Sequence, residues 1–247
     1  MQRIRPFINT DLIKVFTGIR RAGKSVMLEL VKNELKESGI GEENFLCINF
    51  EQFSNSQFLD VESLYKKITD FQKNTKGKIY LFFDEIQEVD GWEKCINSCR
   101  IDFDCDIFII GFNAKLLYGE LAKYLDGRYV EFVIYPFSFA EFFEMNLIKN
   151  PNVDKATCFM QFLKTGGMPF LSNFPDDDSA KSQYLIDIYN SVVLKDVVKR
   201  NNIRDVDTLE RIVAYAFSNI GHIFSATSLS KYFKSEKPEV VLASMWP

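Results

Sequence analysis

The octapeptide Gly18-Ile19-Arg20-Arg21-Ala22-Gly23-Lys24-Ser25 constrains this chain more than any other feature. It satisfies G-x-x-x-x-G-K-S/T at every fixed position, and each fixed position has a physical task. Glycines let the backbone wrap a phosphate chain with its N–H groups inward, and a helix opening after Gly23 presents its positive end to the same charge. Lys24 would then reach the β- and γ-phosphates, and the Ser25 hydroxyl would ligate Mg²⁺. The bare pattern arises by chance in roughly one chain of this length in a hundred, so the flanks decide. Residues 12–17 (Leu-Ile-Lys-Val-Phe-Thr) form an apolar run closed by Gly18, which reads as a buried strand. From Lys24 to Glu37 the apolar positions Val26, Met27, Leu30, Val31 and Leu35 predict a helix that Gly39 stops. The expected nucleotide contacts are Gly18, Arg20, Arg21, Ala22, Gly23, Lys24, Ser25 and Val26. For Arg20 and Arg21 two readings stand: they screen phosphate charge, or they are the solvent-facing residues of the loop.

A phosphate site of this kind needs a second carboxylate for the metal and a group that orients the attacking water. Lys78-Ile79-Tyr80-Leu81-Phe82-Phe83-Asp84-Glu85 supplies both. A buried strand ending in two acids places them at the carboxyl edge of a sheet, where ligands bind in open α/β folds. Asp84 is the expected Mg²⁺ partner and Glu85 the candidate general base; an Asp-Glu pair after a strand is otherwise a common cap. In Ile107-Phe108-Ile109-Ile110-Gly111-Phe112-Asn113 a further strand ends in an amide, and Asn113 either contacts the γ-phosphate and the water or caps a helix. Arg128 precedes a strand from Tyr129 to Ile134. Its guanidinium either stabilises transition-state charge, in its own or a neighbouring subunit, or pairs on the surface with Asp126 or Glu131.

Strand-like runs at 12–17, 45–50, 79–83, 107–110 and 129–134 alternate with helical stretches at 24–37, 56–72, 91–99 and 114–125, which predicts a parallel α/β sheet covered on both faces. After Pro136 the spacing turns helical, and Asn150-Pro151, Gly166-Gly167-Met168-Pro169 and Phe174-Pro175 divide that region into separate helices. The longest stretch without a charge, Ile212 to Ser230, is too polar for a membrane span and reads as helix, turn, helix.

Composition excludes several classes. At 47% hydrophobic and 26% charged, the 247 residues are those of an ordinary globular protein, neither fibrous nor extensively disordered. A net charge of −4 is not that of a general nucleic-acid binder. Five cysteines without paired spacing read as reduced thiols in a cytoplasmic protein, and one histidine, His222, leaves little scope for a Cys/His zinc site. The N-terminus has no apolar run of the signal-peptide kind.

Taken together these residues resemble the AAA+ ATPases, and more closely the bacterial and archaeal ATP-binding proteins that pair an AAA+ module with a C-terminal domain of unknown function. The resemblance runs through Gly18 to Ser25, Ile48-Asn49-Phe50-Glu51, Phe83-Asp84-Glu85-Ile86-Gln87, Gly91-Trp92-Glu93 and Gly119-Glu120-Leu121-Ala122. It continues through Gly127-Arg128-Tyr129, Tyr135-Pro136-Phe137-Ser138-Phe139 and Gly166-Gly167-Met168-Pro169. It implies a P-loop NTPase fold: a five-stranded parallel sheet flanked by helices, an all-helical lid and a partial winged helix. The corresponding domains are 1–137, 138–205 and 206–247. Gly18 to Ser25 becomes the Walker A loop, Asp84 and Glu85 the Walker B acids and Asn113 the first sensor, with ATP and Mg²⁺ as the implied cofactors. Phe112 departs from the small serine more usual there, and Arg200 and Arg204 are the candidates for a second sensor. Members of the family continue past the point where this chain stops. The third helix and wing are expected to be missing or altered, as in a truncated chain or one with a shifted reading frame, so a partner, a dimer contact or disorder is expected over the helices of 208–233.

Three function classes follow: a Mg²⁺-dependent ATPase, a nucleotide-loaded switch that hydrolyses rarely, and a DNA-associated regulator. The last draws on eight Lys and Arg against five Asp and Glu in residues 195–237. Homo-oligomerisation is compatible with all three.

Overall fold

The computed structural model describes residues 1–111, 125, 127–174, 177–192, 198, 205–222 and 225–232. Five strands, β1 (Ile13–Thr17), β2 (Phe45–Asn49), β3 (Ile79–Asp84), β4 (Cys105–Ile110) and β5 (Tyr129–Val133), form one parallel sheet in the order β2-β3-β4-β1-β5. The central strands β1, β3 and β4 are buried along almost their whole length, which explains their largely apolar runs; Lys14 in β1 and Asp106 in β4 are buried charged exceptions. The expected strands all form, each within a residue or two of its predicted ends.

Alternating side chains feed two cores. On one face Val15, Leu81, Phe83 and Ile109 pack under α2 (Val61–Asn74) and α3 (Trp92–Asp102), through Leu64, Ile68 and Ile96. On the other, Phe16, Phe82, Phe108 and Ile110 pack under α1 (Lys24–Glu37), through Leu28, Val31 and Leu35. The helical stretch expected at 56–72 is two elements. A 3-10 turn, Phe53–Leu59, precedes α2, because the Asp60 carboxylate accepts the Ser63 N–H at 2.8 Å and starts the α-helix there.

Parallel register collects the carboxyl ends of all strands at one edge: Asn49 stands beside Asp84, Asp84 beside Ile110, Phe16 beside Ile110 and Thr17 beside Val133. Beyond β5 the chain forms α4 (Phe139–Lys149) and α5 (Lys155–Thr165). Ser138 and Glu141 close a capping box at the start of α4. Gly167 is packed so tightly on the segment that links β5 to α4, residues 134–138, here called the hinge, that a Cβ would lie 1.9 Å from the Phe137 carbonyl oxygen, and the Phe137 N–H donates to Gly167 O at 2.8 Å.

The chain divides into two compact units, Met1–Asn173 and Phe174–Pro247. The second contains α6 (Asp178–Tyr189), α7 (Val206–Ser218) and α8 (Ala226–Tyr232). Ile212 of α7 and Leu229 of α8 form a small core with Tyr215 against it, so the stretch predicted as helix, turn, helix is a packed helix pair. Among the described residues no helix is long and apolar enough to cross a membrane.

Candidate functional site: a phosphate loop facing two carboxylates

The loop between β1 and α1 is built for close backbone approach. Gly18 (φ 139°), Arg21 (φ 63°) and Gly23 (φ 103°) all lie at positive φ. Gly18 admits no side chain, since a Cβ there would lie 2.1 Å from Ile134 O on the neighbouring strand's extension. α1 opens with no side-chain cap and no acidic residue in its first turn, so its N-terminal partial charge is not neutralised from within the chain. Lys24 is buried, and its Nζ donates to Gly18 O at 3.0 Å and Ile19 O at 3.1 Å, folding the ammonium into the loop. Arg20 makes a long ion pair, 3.9 Å, with Glu51.

The register brings the acids to this loop. Ser25 Oγ donates to Asp84 Oδ2 at 2.8 Å, and Asn49 Nδ2, from the end of β2, approaches the same oxygen at 3.3 Å. Burial pushes the Asp84 carboxyl above the usual carboxylate range, and the Ser25 hydrogen bond offsets this only in part. Glu85 follows in a left-handed conformation (φ 57°, ψ 44°), its N–H donating to Ile110 O at 3.1 Å. Its carboxyl is likewise held up, chiefly by burial, and accepts a hydrogen bond from Gln87 Nε2. A hydroxyl and a carboxylate converging beside an uncapped helix start suit Mg²⁺, a hard cation that prefers oxygen. These residues fit a nucleotide with Mg²⁺ in donor chemistry.

Two clefts flank the loop. One, of 720 Å³, is lined by Val26 and Leu30 of α1, Val133, the hinge residues Ile134 to Ser138, Glu141 and Pro169. Val26, at 59% exposure, offers its side chain to this cleft rather than to the core. The other, of 410 Å³, runs from Ser25 and Asp84 along Lys32 and Cys47.

Arg128 is not brought to the loop. Its carbonyl accepts the Ile13 N–H at 2.9 Å, at the opposite edge of the sheet, and its Nη1 donates to Asn97 Oδ1 at 2.9 Å. About 13 Å of strand separates that edge from the phosphate loop at roughly 3.3 Å per residue. Asn113, Arg200 and Arg204 lie outside the described residues. Sequence reasoning gave no role to Asn49 or Gln87. Asn49 carried a signal, a strand ending in an amide at the edge that holds the acids; Gln87 carried none beyond its nearness to Glu85.

Residues 10–143, more than half of the chain, match a family described as AAA domain. The chain belongs to the AAA domain family. Residues 157–246 match a second family, a domain of unknown function, DUF8612, so the AAA domain is followed by a C-terminal domain of unknown function. An uncharacterized protein of Haemophilus influenzae is 38% identical over 239 residues, covering 96% of this chain and 59% of the relative. The uncharacterized protein MJ1544 of Methanocaldococcus jannaschii is 33% identical over 240 residues, covering 91% of this chain and 51% of the relative. The chain therefore spans little more than half the length of these relatives. Among solved structures, C. elegans PCH-2 is similar with a TM-score of 0.48 at 12% identity, over 74% of this chain and 62% of that one. The AAA domain match takes in residues 18–25, Asp84, Glu85 and Arg128.

Proposed function

We propose that this AAA domain binds ATP and hydrolyses it with Mg²⁺ by in-line attack of water on the γ-phosphate. The observation that carries the reading is the convergence of Ser25 Oγ and Asp84 Oδ2, 2.8 Å apart, beside the loop that holds Lys24. The adenine base enters the 720 Å³ cleft against Val26, Leu30 and the Tyr135 hinge, and the phosphates run along Gly18 to Ser25 with Arg20 and Arg21 at their outer side. Lys24 exchanges the carbonyls of Gly18 and Ile19 for phosphate oxygens. Ser25 and Asp84 would hold the Mg²⁺, which when bound would supply positive charge to the phosphates.

Glu85 orients the water and accepts its proton; a carboxyl held above its usual range by burial is the better base for that step. Asn113, three residues beyond β4 in sequence, contacts the γ-phosphate. Arg128, placed at the far sheet edge, serves the site of a second copy. The helices from 138 act as a lid that couples nucleotide state to a winged-helix segment beginning near 206, through which a protein partner or DNA is engaged. The compartment that fits the reduced thiols is the cytoplasm.

Phosphate release measured with and without Mg²⁺ tests the reading, with Glu85→Gln beside the parent chain. The expected result is Mg²⁺-dependent release that Glu85→Gln reduces by about a hundredfold or more while ATP binding is kept. Release indifferent to Mg²⁺, or an unimpaired Glu85→Gln, would remove this mechanism.

A further inference from the structure

Gln87 stands two residues beyond Glu85, in the 3-10 turn Ile86–Glu88. The turn is anchored: Ile86 and Val89 are buried in the core under α2 and α3, and the Glu88 N–H donates back to Glu85 O at 3.1 Å. Because Glu85 takes the left-handed conformation, the chain reverses there, and the Gln87 amide Nε2 donates to Glu85 Oε2. A positive φ at a non-glycine residue is unfavourable, and it is one of three such positions among the described residues. The other half of the Gln87 amide has the opposite character. Its Oε1 is buried and has no hydrogen-bond partner among the described residues. An unpaired buried carbonyl oxygen is destabilising, and a side chain of equal length without polar atoms would avoid it. Stability therefore does not account for a glutamine at this position, whereas the single N–H directed at Glu85 does.

We propose that Gln87 is the positioning residue of Glu85: by holding Oε2 it fixes the carboxylate so that Oε1 faces the attacking water. The inference rests on the reading of Glu85 as the water-orienting group. Gln87 touches neither nucleotide nor water; it acts through Glu85, as the orienting member of a base dyad does. Its loss therefore affects the chemical step and leaves nucleotide binding alone.

The test is the ATPase kinetics and thermal melting of Gln87→Met, which keeps the side-chain length and removes donor and orphaned acceptor together. The expected result is a kcat about tenfold lower, a part of what a general base contributes, with KM for ATP within twofold and a melting temperature equal to or above the parent's. A kcat within twofold of the parent, a raised kcat, or a KM that rises in step with the loss overturns the proposal, as does a fall in melting temperature that accounts for the lost activity. Should Gln87→Met fail to fold, Gln87→Asn, whose amide is too short to reach Glu85, is read by the same criteria. Glu85→Gln separates the two levels. If it keeps the parent rate, the reading of Glu85 falls and this role with it. If it is inactive while Gln87→Met is fully active, only the role of Gln87 falls.

Discussion

Ser25 Oγ and Asp84 Oδ2 meet at 2.8 Å, joining the first turn of α1 to the last residue of β3 across 59 positions of sequence. The contact exists because parallel pairing sets β3 two strands from β1 with their carboxyl ends level. Both groups are oxygen donors of the kind Mg²⁺ selects. Ser25→Ala is therefore expected to weaken ATP binding about tenfold in the presence of Mg²⁺ and to leave the Mg²⁺-free affinity nearly unchanged. Titration calorimetry with and without the metal reads both quantities, and a parallel fall in the two would assign Ser25 to the loop's shape instead.

Asp84 and Glu85 also make stability depend on pH. Burial raises both carboxyls above their unfolded range, so the folded chain holds these protons more tightly than the unfolded one. Stability from this source is present at low pH and is lost as pH rises from about 4 through the raised folded values. Asp84→Asn or Glu85→Gln removes the buried charge and should melt about 2 °C higher than the parent at pH 7 without Mg²⁺. The gap should close as pH falls toward 4. Melting curves at pH 5 and 7 check this, and a gap that widens toward acid would contradict it.

Much of this arrangement was legible in residue patterns, for a physical reason. Strands buried on both faces are mostly apolar, their rare charges paired as Lys14 and Asp106 are, so β1, β3 and β4 announce themselves, and α1 occupies the predicted Lys24–Glu37. That residues 18–25 and Asp84 would meet was readable because a strand–glycine loop–helix and an acid at a strand's carboxyl end converge in a parallel sheet. Three relationships were not. The Gln87 contact depends on Glu85 turning left-handed, which no periodicity signals. The approach of Asn49 to Asp84 depends on the β2–β3 register. The role of Gly167 depends on a hinge carbonyl more than twenty residues away in sequence.

The position of Arg128 yields a prediction about assembly. Its backbone pairs with Ile13 at the amino edge of the sheet, and its guanidinium engages Asn97. On the proposed reading, a side chain there would serve a nucleotide across an interface between copies. Arg128→Ala should lower kcat by roughly a thousandfold, as loss of a transition-state arginine does. Mixing it with Lys24→Ala should restore activity, because some interfaces then combine an intact loop with an intact arginine. A mixture as inactive as its parts, at concentrations where the parent is active, would return Arg128 to a structural role.

Lys14 and Asp106 set the last prediction, at the edge of the sheet away from the nucleotide. Neither side chain is exposed, and they form an ion pair between β1 and β4. Lys14 Nζ also donates to Thr10 O at 3.1 Å, and Asp106 Oδ2 accepts the Asn9 N–H at 2.7 Å, so the pair ties the N-terminal segment to the sheet. Burial is the largest influence on both, pushing the lysine down and the aspartate up, so each charge depends on the other. Lys14→Met strands the Asp106 carboxylate and should cost about 3–5 kcal/mol. Adding Asp106→Asn to Lys14→Met removes the stranded charge and keeps an acceptor for Asn9, so the double variant should be more stable than Lys14→Met alone. Urea unfolding of the parent, both single variants and the double gives the coupling directly. Two independent, additive losses would mean that the pair contributes no more than its separate side chains.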